Sequence, residues 1–401
     1  MEQNPNNKRF LLVWLCVLYA LFLTGCWSSR EIEDLSLLPG VAIDIAELSV
    51  VEKELTERGG GYPKNDLITL TFQVIPPQLA GSGKKEGASQ QKPYLNISET
   101  GDSIHQSIRE VALRSERVVF SQHLKVIVLG EDLVRSVSME KILDQYFRDN
   151  GVRPSCLVFI SKGRASETLE SKQPGDIPAF HLLGIVDNRF RSSRLLPPIT
   201  LAKLSGKLPA ESSFLLQTVL SANGEVKFAG AAVINGKSKK LGGFLNESEL
   251  EGLIWLTGEG KGGVLKTVDP KTGQLIMYEI ESMKSKIIPH VKGGKMSFDV
   301  KIESEGRISE NWANKGNPTD SKFVKMVEET AQKEVKQLVT NVLEKMQKEY
   351  RTDVAGFGTR LKMENPKVWE KVKEDWDEQF SKIPINLDAK ITITDYGAAS
   401  K

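Results

Sequence analysis

The stretch Met296-Ser297-Phe298-Asp299-Val300-Lys301-Ile302-Glu303 alternates apolar and polar residues without a break. Only a strand with one buried face gives that period of two. The same pattern returns in Leu387-Asp388-Ala389-Lys390-Ile391-Thr392-Ile393-Thr394. Between the two runs the period changes to that of a helix. Val324, Val327, Ala331, Val335, Leu338, Val342 and Met346 fall on one face, and the other face is rich in Lys and Glu. At ~1.5 Å per residue this helix is about 40 Å long. Asn365-Pro366 then reads as a helix start, with Asn as cap and Pro at the first position, and a stripe of Val368, Val372, Trp376 and Phe380. Upstream, Asn235-Gly236 between apolar runs predicts a hairpin. The C-terminal half therefore reads as an antiparallel sheet packed with a long helix.

The N-terminal half alternates strands and helices. Val41 to Ile45 is a short strand, and Ile68, Leu70, Phe72 and Val74 alternate with Thr69, Thr71 and Gln73, the mark of a half-buried strand. Asp102 or Ser103 caps a helix whose apolar face is Ile104, Ile108, Val111 and Ala112. Leu124 to Leu129 is the next strand, Met139 to Phe147 a helix, Ser155 to Ile160 a strand, and Ala165 to Leu169 a short helix. This order predicts an α/β-type domain with some parallel pairing. From Pro174 to about Leu208 the pattern dissolves into Pro, Ser, Arg and Lys. The fold class is α+β overall: an N-terminal α/β-type domain over 26–195, a linker or small middle segment over 196–225, and a C-terminal α+β domain over 226–398. A further division near Glu303 is left open.

The first residues obey other rules. Lys8 and Arg9 precede fourteen residues, Phe10 to Leu23, without a charge. A bilayer span needs ~20 apolar residues, so the run fits a signal peptide over 1–25 better than a permanent span. Leu23-Thr24-Gly25-Cys26 then matches a bacterial lipobox. Its thiolate is the nucleophile that takes a diacylglyceryl group, and two acyl chains at ~0.8 kcal/mol per buried CH₂ hold a protein on a membrane. Lipid through Cys26 is the expected anchor. With no long tether after Cys26, the first domain is expected close to the bilayer. Trp27 either rests among the headgroups or packs on that domain.

The remaining composition excludes more than it selects. The 401 residues carry 54 Lys+Arg and 52 Asp+Glu, so the net charge of +2 gives no reason to expect a nucleic-acid partner. Of three cysteines, Cys16 leaves with the leader and Cys26 takes lipid, so Cys156 has no partner for an intrachain disulfide. His105, His123, His181 and His290 show no metal-ligand spacing, and no metal or cofactor is expected. Gly81-Ser82-Gly83-Lys84-Lys85 lacks the first glycine and the Ser/Thr of a phosphate loop. No nucleophile elbow is present, and no enzymatic activity is expected. Lys237, Lys239 and Lys240 read as a solvated turn or as a contact to anionic lipid.

Four stretches, in order, resemble the Ger(x)C family, the lipoprotein C subunits of nutrient germinant receptors in spore-forming bacteria. They are Gly25-Cys26-Trp27-Ser28-Ser29-Arg30-Glu31-Ile32; Phe120 to Val128 followed by Phe147-Arg148-Asp149; Gly242-Gly243-Phe244-Leu245-Asn246-Glu247-Ser248-Glu249 with Leu253 to Leu256; and Asp353 to Gly358 followed by Pro366, Trp369, Trp376 and Phe380. Ser28 stands where many relatives have Asp, and Phe244 where a bulkier residue, often Trp, is usual. The resemblance implies a non-enzymatic subunit on the outer face of the spore inner membrane, beside two integral membrane subunits of A type and B type. Cys26 carries over as the lipid site. Trp27, Arg30, His123, Arg148, Asn246, Glu247 and Asp353 match family positions as interface or structural residues. Asp353, beside a glycine turn, is expected to cap backbone. The alternative is a solute-binding lipoprotein that captures the nutrient itself, as a weak ligand.

Overall fold

The structure, a computed structural model, describes residues 35–46, 67–76, 92–313 and 320–395, with the isolated positions 14, 15, 54, 57 and 58. The lipobox, Trp27 and Arg30 lie outside the described residues. The first unit contains β1 (Leu35–Ile45), β2 (Ile68–Ile75), β3 (Leu95–Gly101), α1 (Ile104–Glu110), β4 (Val118–Phe120), β5 (Val126–Gly130), α2 (Glu131–Ser136), α3 (Met139–Arg148) and β6 (Leu157–Lys162). It continues through α4 (Pro178–Val186), α5 (Leu201–Lys207), β7 (Phe214–Ala222), β8 (Glu225–Ile234) and β9 (Leu241–Leu245). Its strands form a nine-stranded sheet in the order β3-β2-β1-β5-β6-β7-β8-β9, with β4 beside β1.

The centre, β1-β5-β6-β7, is parallel, and antiparallel hairpins extend it on both sides. Parallel strands need crossover helices, which cover both faces. One face carries Ile43, Ile127, Leu129 and Val158 against Leu133, Leu143 and Leu204; the other carries Ala42, Val126 and Val128 against Leu169, Ala179 and Leu182. Burial on both sides explains one difference from expectation. The alternation in β2 predicts a half-buried strand, yet all eight of its residues are buried. Its polar side chains are paired instead of solvated: Thr69 Oγ1 lies 2.9 Å from Thr100 Oγ1, and Gln73 Nε2 donates to the Leu169 carbonyl at 2.8 Å. Gln73 Oε1 also accepts from the Ala179 amide, so one side chain satisfies two backbone groups of the covering layer.

Residues 174–208 are more ordered than their composition predicts. Pro178 supplies the first turn of α4 and Thr200 caps α5, accepting from Lys203 N. Residues 196–225 are not a linker, because they carry α5 and the whole of β7, which is hydrogen-bonded between β6 and β8. The first sheet runs past residue 226 and ends at β9.

The second unit holds α6 (Glu247–Thr257), β10 (Gly263–Val268), β11 (Leu275–Lys292), β12 (Lys295–Asn311), α7 (Ser321–Glu344), a π-helical turn (Lys345–Tyr350), α8 (Phe357–Glu364), α9 (Pro366–Val372), α10 (Trp376–Phe380) and β13 (Ile385–Asp395). The sheet order is β10-β11-β12-β13. Three strands pair antiparallel, as the sequence predicts, but β13 joins β12 in parallel. The long chain excursion through α7 to α10 makes that crossover. Glu303 lies inside β12, so no division falls there. Phe323, Val327, Ala331, Val335, Val339, Val342 and Met346 are buried along α7 and its π turn. The Phe, Val and Met side chains among them contribute ~1.5–3 kcal/mol each relative to exposure, and Ala331 less. Pro366 opens α9 as expected, but the Asn365 side chain makes no capping bond. Leu196, Leu215, Val233 and Leu245 of the first unit share one core with α6, Tyr278, Phe298 and α7.

Candidate functional site

The junction of the two units gathers three of the residues singled out by sequence: Asn246, Glu247 and Asp353. Asn246 Oδ1 accepts from the Glu249 amide at 2.9 Å, and Glu249 Oε2 accepts from the Asn246 amide at 2.7 Å. This capping box starts α6. Glu249 Oε1 also takes the Lys345 ammonium at 2.9 Å, tying α6 to the end of α7. Glu247 forms ion pairs with Lys227 of β8 and with Arg194, whose Nε donates to buried Glu251 at 2.9 Å. The hydrogen bond from Lys227 and then the charge of Arg194 hold the Glu247 carboxyl below its usual range.

Asp353 occupies the turn after the π-helical segment. Oδ1 accepts from the amides of Ala355, Gly356 and Phe357 at 3.1, 2.9 and 3.2 Å. Oδ2 accepts from Gly358 N at 2.7 Å and from Trp376 Nε1 at 3.0 Å. The carboxylate therefore satisfies the orphan amides at the start of α8. Gly356, at φ +86°, makes the left-handed turn that aims those amides at one side chain. Phe357 beneath it packs edge-on to Phe298 at 5.0 Å and against Phe380 at 5.3 Å. With these partners, Asp353 builds the turn.

Around this turn lies an open cleft of about 980 Å³. One wall is the segment Leu196 to Leu215, the other Asp353 to Met363 with Trp369 to Asp377. Lys203, Lys207, Lys237, Arg360, Lys362 and Lys373 line it together with Glu211, Glu374 and Asp377. Burial, and then the nearby Asp353 charge, push the Asp377 carboxyl up. In the 235–240 turn Lys237 is exposed, whereas Lys239 departs from the solvated reading. Lys239 is buried and its Nζ donates to the carbonyls of Ala210 and Gly236. Lys237 Nζ donates to the Glu374 carbonyl at 2.7 Å, across the cleft's edge.

The other singled-out residues stand apart. His123 closes a 3-10 turn (Ser121–His123) ahead of β5, where burial and then Lys125 and Arg153 hold its imidazole below the usual range. Arg148, at the exposed end of α3, pairs with Asp144 at 2.8 Å. Cys156 is a free, buried thiol whose pKa burial raises. Among the described residues, no group of three or more His, Cys, Asp or Glu side chains could hold a metal ion, and no helix is long and apolar enough to cross a membrane. Sequence reading missed Arg194, Lys227, Lys345 and Tyr350. The Asn246-x-x-Glu249 spacing was the one local signal present; the partners of Glu247 come from distant chain.

Similarity to known proteins covers both halves of this junction. Residues 28–219 match the family described as spore germination protein N-terminal domain, and residues 229–397 match spore germination B3/GerAC like, C-terminal. Spore germination protein YndF of Bacillus subtilis (strain 168) is 51% identical over 401 residues, covering 99% of each chain. The chain belongs to the Ger(x)C family of spore germination proteins. Two further Ger(x)C relatives from the same organism are spore germination protein A3, 31% identical over 97% of this chain and 98% of that one, and spore germination protein B3, 29% identical over 98% and 97%. The crystal structure of the GerBC protein is similar with a TM-score of 0.61 at 26% identity, covering 84% of this chain and 97% of that chain. The mixed α/β architecture with two sheets is thus the Ger(x)C fold.

Proposed function

We propose that this Ger(x)C chain is the lipid-anchored C subunit of a spore nutrient germinant receptor, assembling with two integral membrane subunits on the outer face of the spore inner membrane. The observation that carries the reading is a full-length match to spore germination proteins combined with a lipobox, Leu23-Thr24-Gly25-Cys26, just ahead of the first strand. The junction side chains support a structural role over catalysis, since Asn246, Glu247 and Asp353 spend their polar atoms on backbone and ion pairs. Nutrient-triggered germination would then depend on assembly through the surface of this subunit. The test is a pull-down of tagged protein from detergent-solubilised spore inner membranes, read by mass spectrometry. Recovery of two polytopic subunits is expected; recovery of the chain alone would overturn the assembly. In parallel, Cys26→Ala should leave the precursor unlipidated and slow germination, and normal germination of unlipidated protein would overturn the anchor.

The cleft of about 980 Å³ favours a second reading, direct capture of a nutrient. Its mixed cationic and anionic lining suits a small zwitterionic solute better than an apolar one. Isothermal titration with candidate nutrients decides it, and silence across all of them would remove this reading while leaving the first intact.

A further inference from the structure

We propose that the end of the nine-stranded sheet carrying Leu35, Leu95 and Val118 rests on the bilayer, with Leu113 and Val118 set into the headgroup layer. The proposal rests on the lipid anchor at Cys26 described above. The nine residues after Cys26 end at Leu35, where the chain enters β1. Fully extended they reach about 30 Å, so the start of β1 stays within that distance of the acyl chains.

The sheet register shows what else lies there. Leu35 is opposite Val118 of β4, Leu37 is opposite Ile75 of β2, and the neighbouring Val74 is opposite Leu95 of β3. Leu35, Val118 and Leu95 therefore share one end of the sheet. The 3-10 turn Val111–Leu113 packs against β4 at the same place. Leu35 is buried, but Leu113 is 85% exposed, Val118 55% and Leu95 54%. A single exposed leucine needs no explanation. Three large apolar side chains beside the point where the anchored chain arrives call for an apolar partner, and the anchor puts acyl chains within reach.

The charges nearby define the kind of surface. Arg109, Arg114 and Arg117 are matched in sequence by Glu99, Glu110 and Glu116. Arg114 is committed to Glu99 at 3.1 Å and to the Ser98 carbonyl at 2.7 Å. The contact thus works through apolar area, and it forms on zwitterionic as well as anionic lipid.

The experiment uses the mature, lipidated full chain in phosphatidylcholine vesicles. An environment-sensitive dye is attached through Leu113→Cys in one sample and through Lys271→Cys in another. Lys271 is exposed in the turn between β10 and β11, and buried Cys156 stays unlabelled. The expected result is a blue-shifted emission at position 113, quenched several-fold more by headgroup-proximal spin-labelled lipid than the dye at 271. Adding anionic lipid should leave that ratio unchanged. If the chain floats with the vesicles but both dyes respond alike, the orientation is wrong and the anchor stands. If the chain does not float, the anchor is wrong and the orientation falls with it. Shielding of position 113 only after the integral subunits are added would show that the patch serves a protein partner, and would overturn the lipid contact.

Discussion

The Tyr350 hydroxyl holds both backbone groups of Phe244: it donates to the carbonyl at 2.7 Å and accepts from the amide at 3.1 Å. Tyr350 ends the π-helical turn after α7, and Phe244 lies in β9, the last strand of the first sheet. A strand at a sheet edge presents unpaired amides and carbonyls, and here a side chain from the second unit takes one of each. Gly243 permits the approach, because a Cβ there would lie 2.5 Å from the tyrosine ring. The two units are therefore joined by a polar clasp as well as by a shared core.

Removing the hydroxyl tests that clasp. Tyr350→Phe keeps the ring and strands one donor and one acceptor in a half-buried place. The expected loss is ~1–3 kcal/mol of unfolding free energy, measured by urea titration. Gly243→Ala should cost a similar amount by pushing the ring away. An unchanged midpoint in Tyr350→Phe would mean that water replaces both bonds and that the shared core alone joins the units.

Asp353 should be among the most sensitive polar positions. Asp353→Ala leaves four amides and the Trp376 indole without their acceptor. At ~1–3 kcal/mol per unsatisfied buried group the cost exceeds that of an ordinary surface change several times over. Asp353→Asn keeps one acceptor oxygen and should lose less. Denaturant midpoints of the three proteins, followed by tryptophan fluorescence, should fall in the order parent, Asn, Ala. An Ala variant as stable as the parent would show that the turn does not depend on this carboxylate.

How far the sequence carried the fold depends on where each signal is stored. The alternation at Met296–Glu303 and the seven-residue apolar face of the long helix are local, and both elements stand where expected. The parallel pairing of β13 with β12 was not legible, because a period of two says which face is buried and nothing about strand direction. Nor was α4: Pro178 to Val186 is nine residues with apolar character almost all round, so no helical stripe emerges. At the site, the role of Asp353 was readable from its glycine turn, whereas the ion pairs of Glu247 were not, since Arg194 and Lys227 are far away in sequence. Side chains that bind local backbone leave a spacing; those that bind distant charges do not.

Gly252 gives a case where two magnitudes oppose each other. It lies within α6, where replacing Gly by Ala normally gains ~1 kcal/mol of helix propensity. A Cβ at this position, however, would sit 2.3 Å from the Leu338 carbonyl oxygen of α7. The backbone of one helix must then move off the other, and overpacking of that kind costs ~1–3 kcal/mol. Gly252→Ala is expected to destabilise, with a lowered melting temperature by calorimetry. Stabilisation would mean that the α6–α7 contact is loose enough to yield.

Glu247 predicts the acid side of the stability curve. Its carboxyl is held below the usual range first by the hydrogen bond from Lys227 and then by Arg194. A carboxyl depressed in the folded state contributes stability that is present above its unfolded value of about 4.3. That contribution is lost as pH falls through the folded value, since the protonated acid no longer attracts Lys227 or Arg194. The position at the first turn of α6 adds a favourable interaction with the helix N-terminus, which protonation also removes. Glu247→Gln should therefore be less stable than the parent at neutral pH, and the gap should close as the solution is acidified below the ordinary carboxylate range. Because the Glu247 side chain is 32% exposed and Lys227 is more so, raised salt should shrink the neutral-pH gap. Denaturation midpoints of parent and variant across pH, at low and high salt, provide the measurement. A gap that stays constant down to the most acidic point would assign the effect of the substitution to shape, and would leave the ion pairs with Lys227 and Arg194 without a share in the stability of the junction.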